Sequence, residues 1–97
     1  MIMKDKSHNE ELPMRSKLEM AQDVAEIVEC LHRGHRPLAE VLIDDLKHRS
    51  LYFEEKIQQD VLAFAGQVYF QYDYDPWHKV TEEVEFTADR LLQDLGI

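Results

Sequence analysis

A cysteine and two histidines lie close together in Cys30-x-His32-x-x-His35 and offer ligand types that zinc accepts. A structural zinc site draws at least one further ligand from elsewhere in the chain, and His78 is the candidate, but no feature of the sequence places it nearby. A helix end explains the same residues, because cationic side chains offset the negative end of the helix dipole. The sequence therefore predicts neither a metal site nor a cofactor.

Carboxylates on two neighbouring segments raise an enzymatic alternative. Glu26-x-x-Glu29 precedes Glu40-x-x-x-Asp44, and all-α nucleotide pyrophosphatases hold magnesium at Glu-x-x-Glu and Glu-x-x-Asp spacings. The second spacing here is one residue too long, and magnesium demands near-octahedral oxygen ligands. A magnesium-dependent all-α nucleotide pyrophosphatase that uses these carboxylates is the alternative function, and solvent-exposed helix faces explain the same residues.

Other catalytic patterns are incomplete. Asp45-x-x-His48 supplies one of the two carboxylate–histidine pairs that a di-iron site in a helical bundle requires. The serines Ser7, Ser16 and Ser50 have no glycine-rich turn around them, and no glycine-rich phosphate loop is present. A non-catalytic protein is therefore favoured over an enzyme.

The charge of the chain argues against nucleic-acid binding. Twenty acidic residues against 11 lysines and arginines give a net charge of −9, whereas phosphate backbones are bound by clustered lysine and arginine. Basic residues do gather at 32–36 beside a glycine, as in the turn of a helix-turn-helix protein. However, the following residues 38–41 are apolar or acidic where side chains that contact bases would be expected.

The last quarter of the chain, residues 73–97, combines seven acidic with two basic residues and begins next to several aromatic ones. Such a face can occupy a basic cleft, as inhibitors and immunity proteins of nucleases do, and tyrosine and tryptophan anchor many interfaces. We therefore expect a protein-interaction or regulatory role for a surface that presents this face to a basic partner. Its predicted residues are Tyr72, Tyr74, Trp77, Glu82, Glu83, Glu85 and Asp89. The alternative is that the acidity only promotes solubility.

Apolar spacing predicts the elements that would position these residues. A repeat of three or four residues predicts a first helix near 14–33, which Gly34 ends. Pro37 is suited to the first position of a second helix near 37–49. The predicted buried residues are Met14, Leu18, Ala21, Val24, Ala25, Val28 and Leu31 in the first helix, and Leu38, Val41, Leu42 and Leu46 in the second.

The third segment, near 51–72, is the most apolar and is predicted to be the central helix of the core, with Ser50 as its N-cap. Its predicted buried residues are Phe53, Ile57, Val61, Phe64, Ala65, Val68 and Tyr72. An α+β alternative remains, because residues 67–74 also alternate in polarity and are rich in strand formers. Such a strand has no partner within the chain and would pair only with a second copy.

A fourth helix is predicted near 76–95, since Asp75-Pro76 is a strong start signal, with a later start near Thr81 as the alternative. Its predicted buried residues are Trp77, Val80, Val84, Thr87, Ala88, Leu91 and Leu95.

These segments together predict an all-α protein, a small antiparallel four-helix bundle, with residues 1–13 as a flexible N-terminal arm and residues 14–97 as a single helical domain. No apolar run is long enough to cross a bilayer, so we expect no membrane partner. The lone Cys30 excludes an internal disulfide and favours a cytoplasmic location. A homodimer is expected if the neighbouring helices leave the third helix partly uncovered.

Overall fold

The computed structural model describes the backbone of residues 2–74 and 80–96 and the side chains of residues 16–74 and 80–96. Four helices follow in order: α1 (Ile2–Arg33), α2 (Arg36–Ser50), α3 (Glu55–Tyr74) and α4 (Glu82–Asp94). The predicted all-α helical bundle is confirmed. The α+β alternative is wrong, because residues 67–74 lie in α3 and the described part of the chain contains no strand. Val68 and Tyr72 continue the buried stripe of α3 to its last turn, which keeps this segment helical.

The turn between α1 and α2 has the predicted glycine stop. Gly34 adopts a left-handed φ of 70°, the His35 amide donates to the Cys30 carbonyl at 2.9 Å, and the Gly34 amide donates to the Leu31 carbonyl at 3.4 Å. These two bonds form a Schellman motif. His35 then caps α2, because its Nδ1 accepts from the Leu38 amide at 3.3 Å. The short turn folds α2 back along α1.

Two helix boundaries differ from the prediction near the ends of α1 and α2. α1 begins at Ile2 rather than near residue 14, while the division into a flexible arm and one domain stays a prediction. Ser50 ends α2 instead of capping α3: its hydroxyl donates to the Lys47 carbonyl at 2.7 Å. The Leu51, Tyr52 and Phe53 amides bond back to carbonyls three residues earlier, so α3 starts only at Glu55.

α4 begins at the later of its two predicted starts. Thr81 has extended backbone and its hydroxyl accepts from the Val84 amide, so it is the N-cap, and the helix begins at Glu82. The Thr81 amide also donates to the Gln71 side chain at 3.0 Å, which ties the start of α4 to α3. The predicted start signal Asp75-Pro76 and the predicted core residue Trp77 lie outside the described residues.

Side-chain pairs show that the helices are antiparallel. Asp23 faces Asp45 and Glu19 pairs with Arg49, so residue numbers rise in α2 as they fall in α1. Lys56 pairs with Asp94 at 3.1 Å and Asp60 with Arg90 at 3.5 Å, in the same sense for α3 and α4. The α2–α3 contact joins these two hairpins, and the molecule is elongated, 53 × 23 × 18 Å.

One continuous core runs through both hairpins. The buried apolar residues of α3 are those predicted, from Ile57 to Tyr72, and Phe53 before the helix is half-buried. Asp60 and Gln71 are buried as well and were not predicted. In α2 the prediction was right for Leu46, which is buried, and wrong for Leu38 and Val41, which are 43% and 63% exposed. Ala39 and Ile43 are buried in their place.

The buried face of α1 also differs in part from the prediction. Met20 and Ile27 are fully buried, and Leu18 is 56% exposed. α1 and α2 each carry apolar residues on more than one side, so packing against neighbours selects the buried side. Among the helices that the structure describes, none has the length and the apolar composition that crossing a membrane requires.

Candidate functional site: the acidic and aromatic face

The predicted acidic residues lie together on α4. Glu82, Glu83 and Glu85 occupy its first turn, where negative side chains offset the positive end of the helix dipole. Asp89 follows one turn later, and all four side chains are exposed. Within the described chain, none of the four carboxylates takes part in an ion pair. Their charge is therefore directed at solvent.

A groove of about 390 Å³ separates α3 from α4 on this side of the molecule. Gln67, Glu82, Glu83, Phe86 and Thr87 line it. We call this feature the α3–α4 groove. The Thr87 hydroxyl donates to carbonyls of its own helix, at 3.0 Å to Glu83 and 2.9 Å to Val84. The wall formed by α4 therefore presents Phe86 beside Glu82 and Glu83, and the Thr87 hydroxyl proton is directed back at its own helix.

Two exposed phenylalanines at this site were not predicted. Phe86 is 65% exposed and lines the groove, and Phe70 is 60% exposed one turn beyond Gln67. The Phe70 ring packs against Tyr74, with ring centroids 4.6 Å apart, and Tyr74 is 75% exposed. The sequence did indicate that Phe86 is exposed, because this residue lies among charged residues and not on the Val84–Ala88–Leu91 stripe of α4.

The remaining aromatic candidates are placed differently. Tyr72 is 6% exposed and belongs to the core. Burial raises the pKa of its hydroxyl to about 12, and that hydroxyl has no hydrogen-bond partner among the described residues. Trp77 lies outside the described residues. Among the described residues, the exposed aromatic side chains in or near the groove are therefore Phe86, which lines it, and Phe70, which packs against Tyr74 on α3.

Arg36 connects the far end of α3 to α2. Its guanidinium donates to Asp73 at 2.9 Å and lies 5.9 Å and 5.6 Å from the ring centroids of Tyr69 and Tyr72. Glu40 is its second carboxylate neighbour, at 4.0 Å. Part of the basic cluster at residues 32–36 therefore serves internal contacts.

The candidate metal ligands that the structure describes do not come together, and His78 lies outside the described residues. The described residues include no group of three or more histidine, cysteine or acidic side chains suited to a metal ion. Cys30 is buried, which raises the pKa of its thiol, whereas His32 is exposed and His35 caps α2. By the same observation, Glu26, Glu29, Glu40 and Asp44 form no such group, so no geometry favours the pyrophosphatase alternative.

Two aspartate pairs, each with one buried member, were not predicted from the sequence. Asp23 on α1 is 9% exposed and shares a hydrogen bond with Asp45 on α2. Two carboxylates can form this bond only if one of them holds a proton. Burial, followed by the Asp45 contact, raises the Asp23 pKa to about 7. The hydrogen bonds to Asp23 and Arg49 keep the Asp45 pKa below its ordinary value.

The second hairpin repeats the arrangement. Asp60 on α3 is 7% exposed and meets Asp94 on α4, with Lys56 and Arg90 as cationic neighbours. Burial and then the Asp94 contact raise the Asp60 pKa to about 6. Single acidic residues at these positions carry no pattern in the sequence, because the pairing depends on how the helices pack.

A second groove, of about 270 Å³, lies between α2 and α3 and carries basic residues. Lys47, His48, Ser50, Leu51, Gln58 and Leu62 line it. The His48 ring is held by a 2.8 Å contact between its Nδ1 and the Asp44 carbonyl.

Comparison of the chain with protein-family models, with curated proteins and with solved structures gives no match.

Proposed function

We propose that this chain is a small non-catalytic protein-interaction or regulatory domain that presents an acidic and aromatic face to a basic protein partner, as an inhibitor or immunity protein does. The observation that supports this proposal is the coincidence of two exposed carboxylates, Glu82 and Glu83, with Phe86 at the α3–α4 groove. Glu85 and Asp89 add exposed negative charge on the same helix. Clustered negative charge speeds the approach of a basic partner, and an aromatic residue beside it supplies binding energy after contact. A cytoplasmic location is part of the proposal, supported by the unpaired, buried Cys30.

The test is capture of partners from native host cells, with each captured protein identified and its binding then measured with purified components. The double charge reversal Glu82→Lys with Glu83→Lys is expected to abolish capture of a basic protein, because it replaces attraction at the groove with repulsion. The matched control is Glu54→Lys with Glu55→Lys. These residues are exposed acidic residues at the start of α3, away from the groove.

The control also reverses two negative charges at the start of a helix, so it should destabilise that helix through its dipole to a similar extent. It should leave capture intact. Equal capture by wild type and the Glu82/Glu83 variant would refute the proposal. Circular dichroism of each variant establishes that the fold is retained.

Self-association is a second candidate, favoured by a separate observation on α3. Its outer strip, which we define as Leu62, Ala63 and Gly66, is exposed and contains no charged residue. A Cβ added at Gly66 would meet no atom within 4 Å, so this strip leaves room for another chain to approach closely. A homodimer seam here would cover the apolar side of α3 that the other helices leave open.

A further inference from the structure

The α3–α4 groove has the form of a site for a helix. Two antiparallel helices that pack side by side leave an outer furrow into which a third helix can pack. The pairs Lys56–Asp94 and Asp60–Arg90 establish that α3 and α4 run antiparallel. The Thr81–Gln71 bond holds the other end of the hairpin together. Contacts within the chain therefore fix the relative position of the two helices that form the groove.

The chemistry of the walls favours a helix over an extended peptide. An extended peptide needs backbone donors and acceptors from its receptor, as a sheet edge provides. Each wall of the groove is a helix, so apart from the amides at the start of α4 its backbone groups bond internally and form no row of free donors and acceptors. The Thr87 hydroxyl is already used within α4. A helical partner satisfies its own backbone and needs only side-chain contacts. The groove offers these contacts at Phe86, with Phe70 one turn from Gln67.

Charge selects the kind of helix. Glu82 and Glu83 line the groove, are exposed and form no ion pair within the described chain. A second copy of this chain in the groove would bring its own net charge of −9 toward them. Lysine or arginine beside an apolar stripe, by contrast, would meet the two carboxylates while the stripe covers Phe86.

We propose, building on the function proposed above, that the α3–α4 groove receives one basic amphipathic helix of a partner protein. Its apolar stripe packs against Phe86 and Phe70, and its lysine or arginine residues pair with Glu82 and Glu83.

The probes are labelled peptides of about 20 residues, long enough to form a helix, tested for binding to the full chain by fluorescence anisotropy. One set carries lysine or arginine on one face and a stripe of leucine, phenylalanine or methionine on the other. A second set differs from the first only in one central residue, which is replaced by proline. A third set has the composition of the first, but its apolar residues are distributed around the helix. The proline set separates helix recognition from charge recognition, because proline breaks the helix but keeps the charge.

The expected result is binding by the amphipathic set, with a gain in helical circular dichroism, and at least about tenfold weaker binding by the other two sets. Phe86→Ala and the double variant Glu82→Gln with Glu83→Gln should each weaken binding by about tenfold. The matched controls are Tyr52→Ala, at an exposed aromatic residue outside the groove, and Glu54→Gln with Glu55→Gln. Neither control should change binding.

Each other outcome overturns the inference in a distinct way. The proline set could bind as well as the amphipathic set, with binding weakened in the Glu82/Glu83 variant. That result would support the acidic recognition face and would exclude a helical partner in the groove. No binding by any peptide would eliminate the helix site, while host-cell capture judges the proposed function separately. A wild-type dimer that Phe86→Ala dissociates, observed by sedimentation velocity, would place a second copy in the groove instead.

Discussion

Asp23 and Asp45 meet across the α1–α2 contact with Arg49 beside them, and this small cluster makes the stability of the protein depend on pH. The Asp23 pKa is about 7 in the folded chain, against an ordinary value of 3.8. A carboxyl whose folded pKa is raised favours folding when it is protonated. The contribution of Asp23 is therefore present below pH 4 and is lost as the pH rises from about 4 through 7.

Asp45 acts in the opposite direction. Its folded pKa lies below 3.8, so its contribution is present above that pH and is lost as the solution becomes more acidic. The pair is therefore most favourable at mildly acidic pH, where one carboxyl is protonated and the other is charged. Asp60 and Asp94 follow the same pattern, with the Asp60 pKa at about 6.

Asp23→Asn tests this account. The amide keeps a donor toward Asp45 and has no charge to lose, so it imitates the protonated acid at every pH. We expect the variant to exceed wild type in unfolding free energy by about 2–4 kcal/mol at pH 8 and to match it at about pH 3.5, where Asp23 is protonated in both the folded and the unfolded chain. Urea unfolding followed by circular dichroism at both pH values measures the difference. Asp44→Asn, at an exposed neighbour of Asp45, is the control and should show no such dependence on pH.

At the scale of the helix, two glycines with the same open surroundings have opposite roles. A Cβ at Gly34 or at Gly66 would meet nothing within 4 Å, but Gly34 has a φ of 70° whereas Gly66 lies inside α3 without a positive φ. Gly34 permits the left-handed residue that ends α1. Gly66 has no such backbone requirement within the single chain, where it adds freedom to the unfolded state.

Alanine at each glycine should therefore shift stability in opposite directions. Gly34→Ala is expected to cost about 1 kcal/mol, because an L residue is strained at that φ. Gly66→Ala is expected to add up to about 1 kcal/mol, since alanine is the better helix former. For a chain of this size each change corresponds to a shift of about 5 °C in Tm. Thermal unfolding of the two variants measures both, and shifts of the same sign would contradict this account of α1 and α3.

At the scale of the whole molecule, each hairpin has its own aspartate pair and the α2–α3 contact joins the two halves into one core. The elongated shape leaves large apolar side chains exposed on several helices. The outer strip of α3 is the part of this surface that lacks charge, which is why a second copy is the occupant we propose for it.

Light scattering during size exclusion tests the dimer. A wild-type mass above the 11.5 kDa of one chain at high protein concentration is expected, because a two-fold seam would bury the strip from both copies. Leu62→Glu should restore the monomer mass, since it places like charges in the seam. Tyr52→Glu, at a residue that is 89% exposed, is the control and should leave the mass unchanged. A wild-type chain that elutes as a monomer throughout would eliminate this candidate.

Local signals in the sequence determined the helices of this protein and several of their ends. The spacing of apolar residues established α3 and its buried stripe, Gly34 ended α1, and Thr81 offered the start that α4 uses. These features depend on residues within a few positions of one another, so they can be read from the chain directly. The strand alternative at 67–74 failed because Val68 and Tyr72 continue the buried helical stripe of α3.

Only the tertiary structure decided which side of a helix is buried and which side chains meet. Ala39 and Ile43 rather than Leu38 and Val41 face the core because α2 packs against both α1 and α3. The Asp23–Asp45 and Asp60–Asp94 pairs, and the groove that exposes Phe86 beside Glu82, each join residues from two helices. Helical periodicity describes one helix at a time, whereas rotation and pairing are selected by the energy of the assembled core.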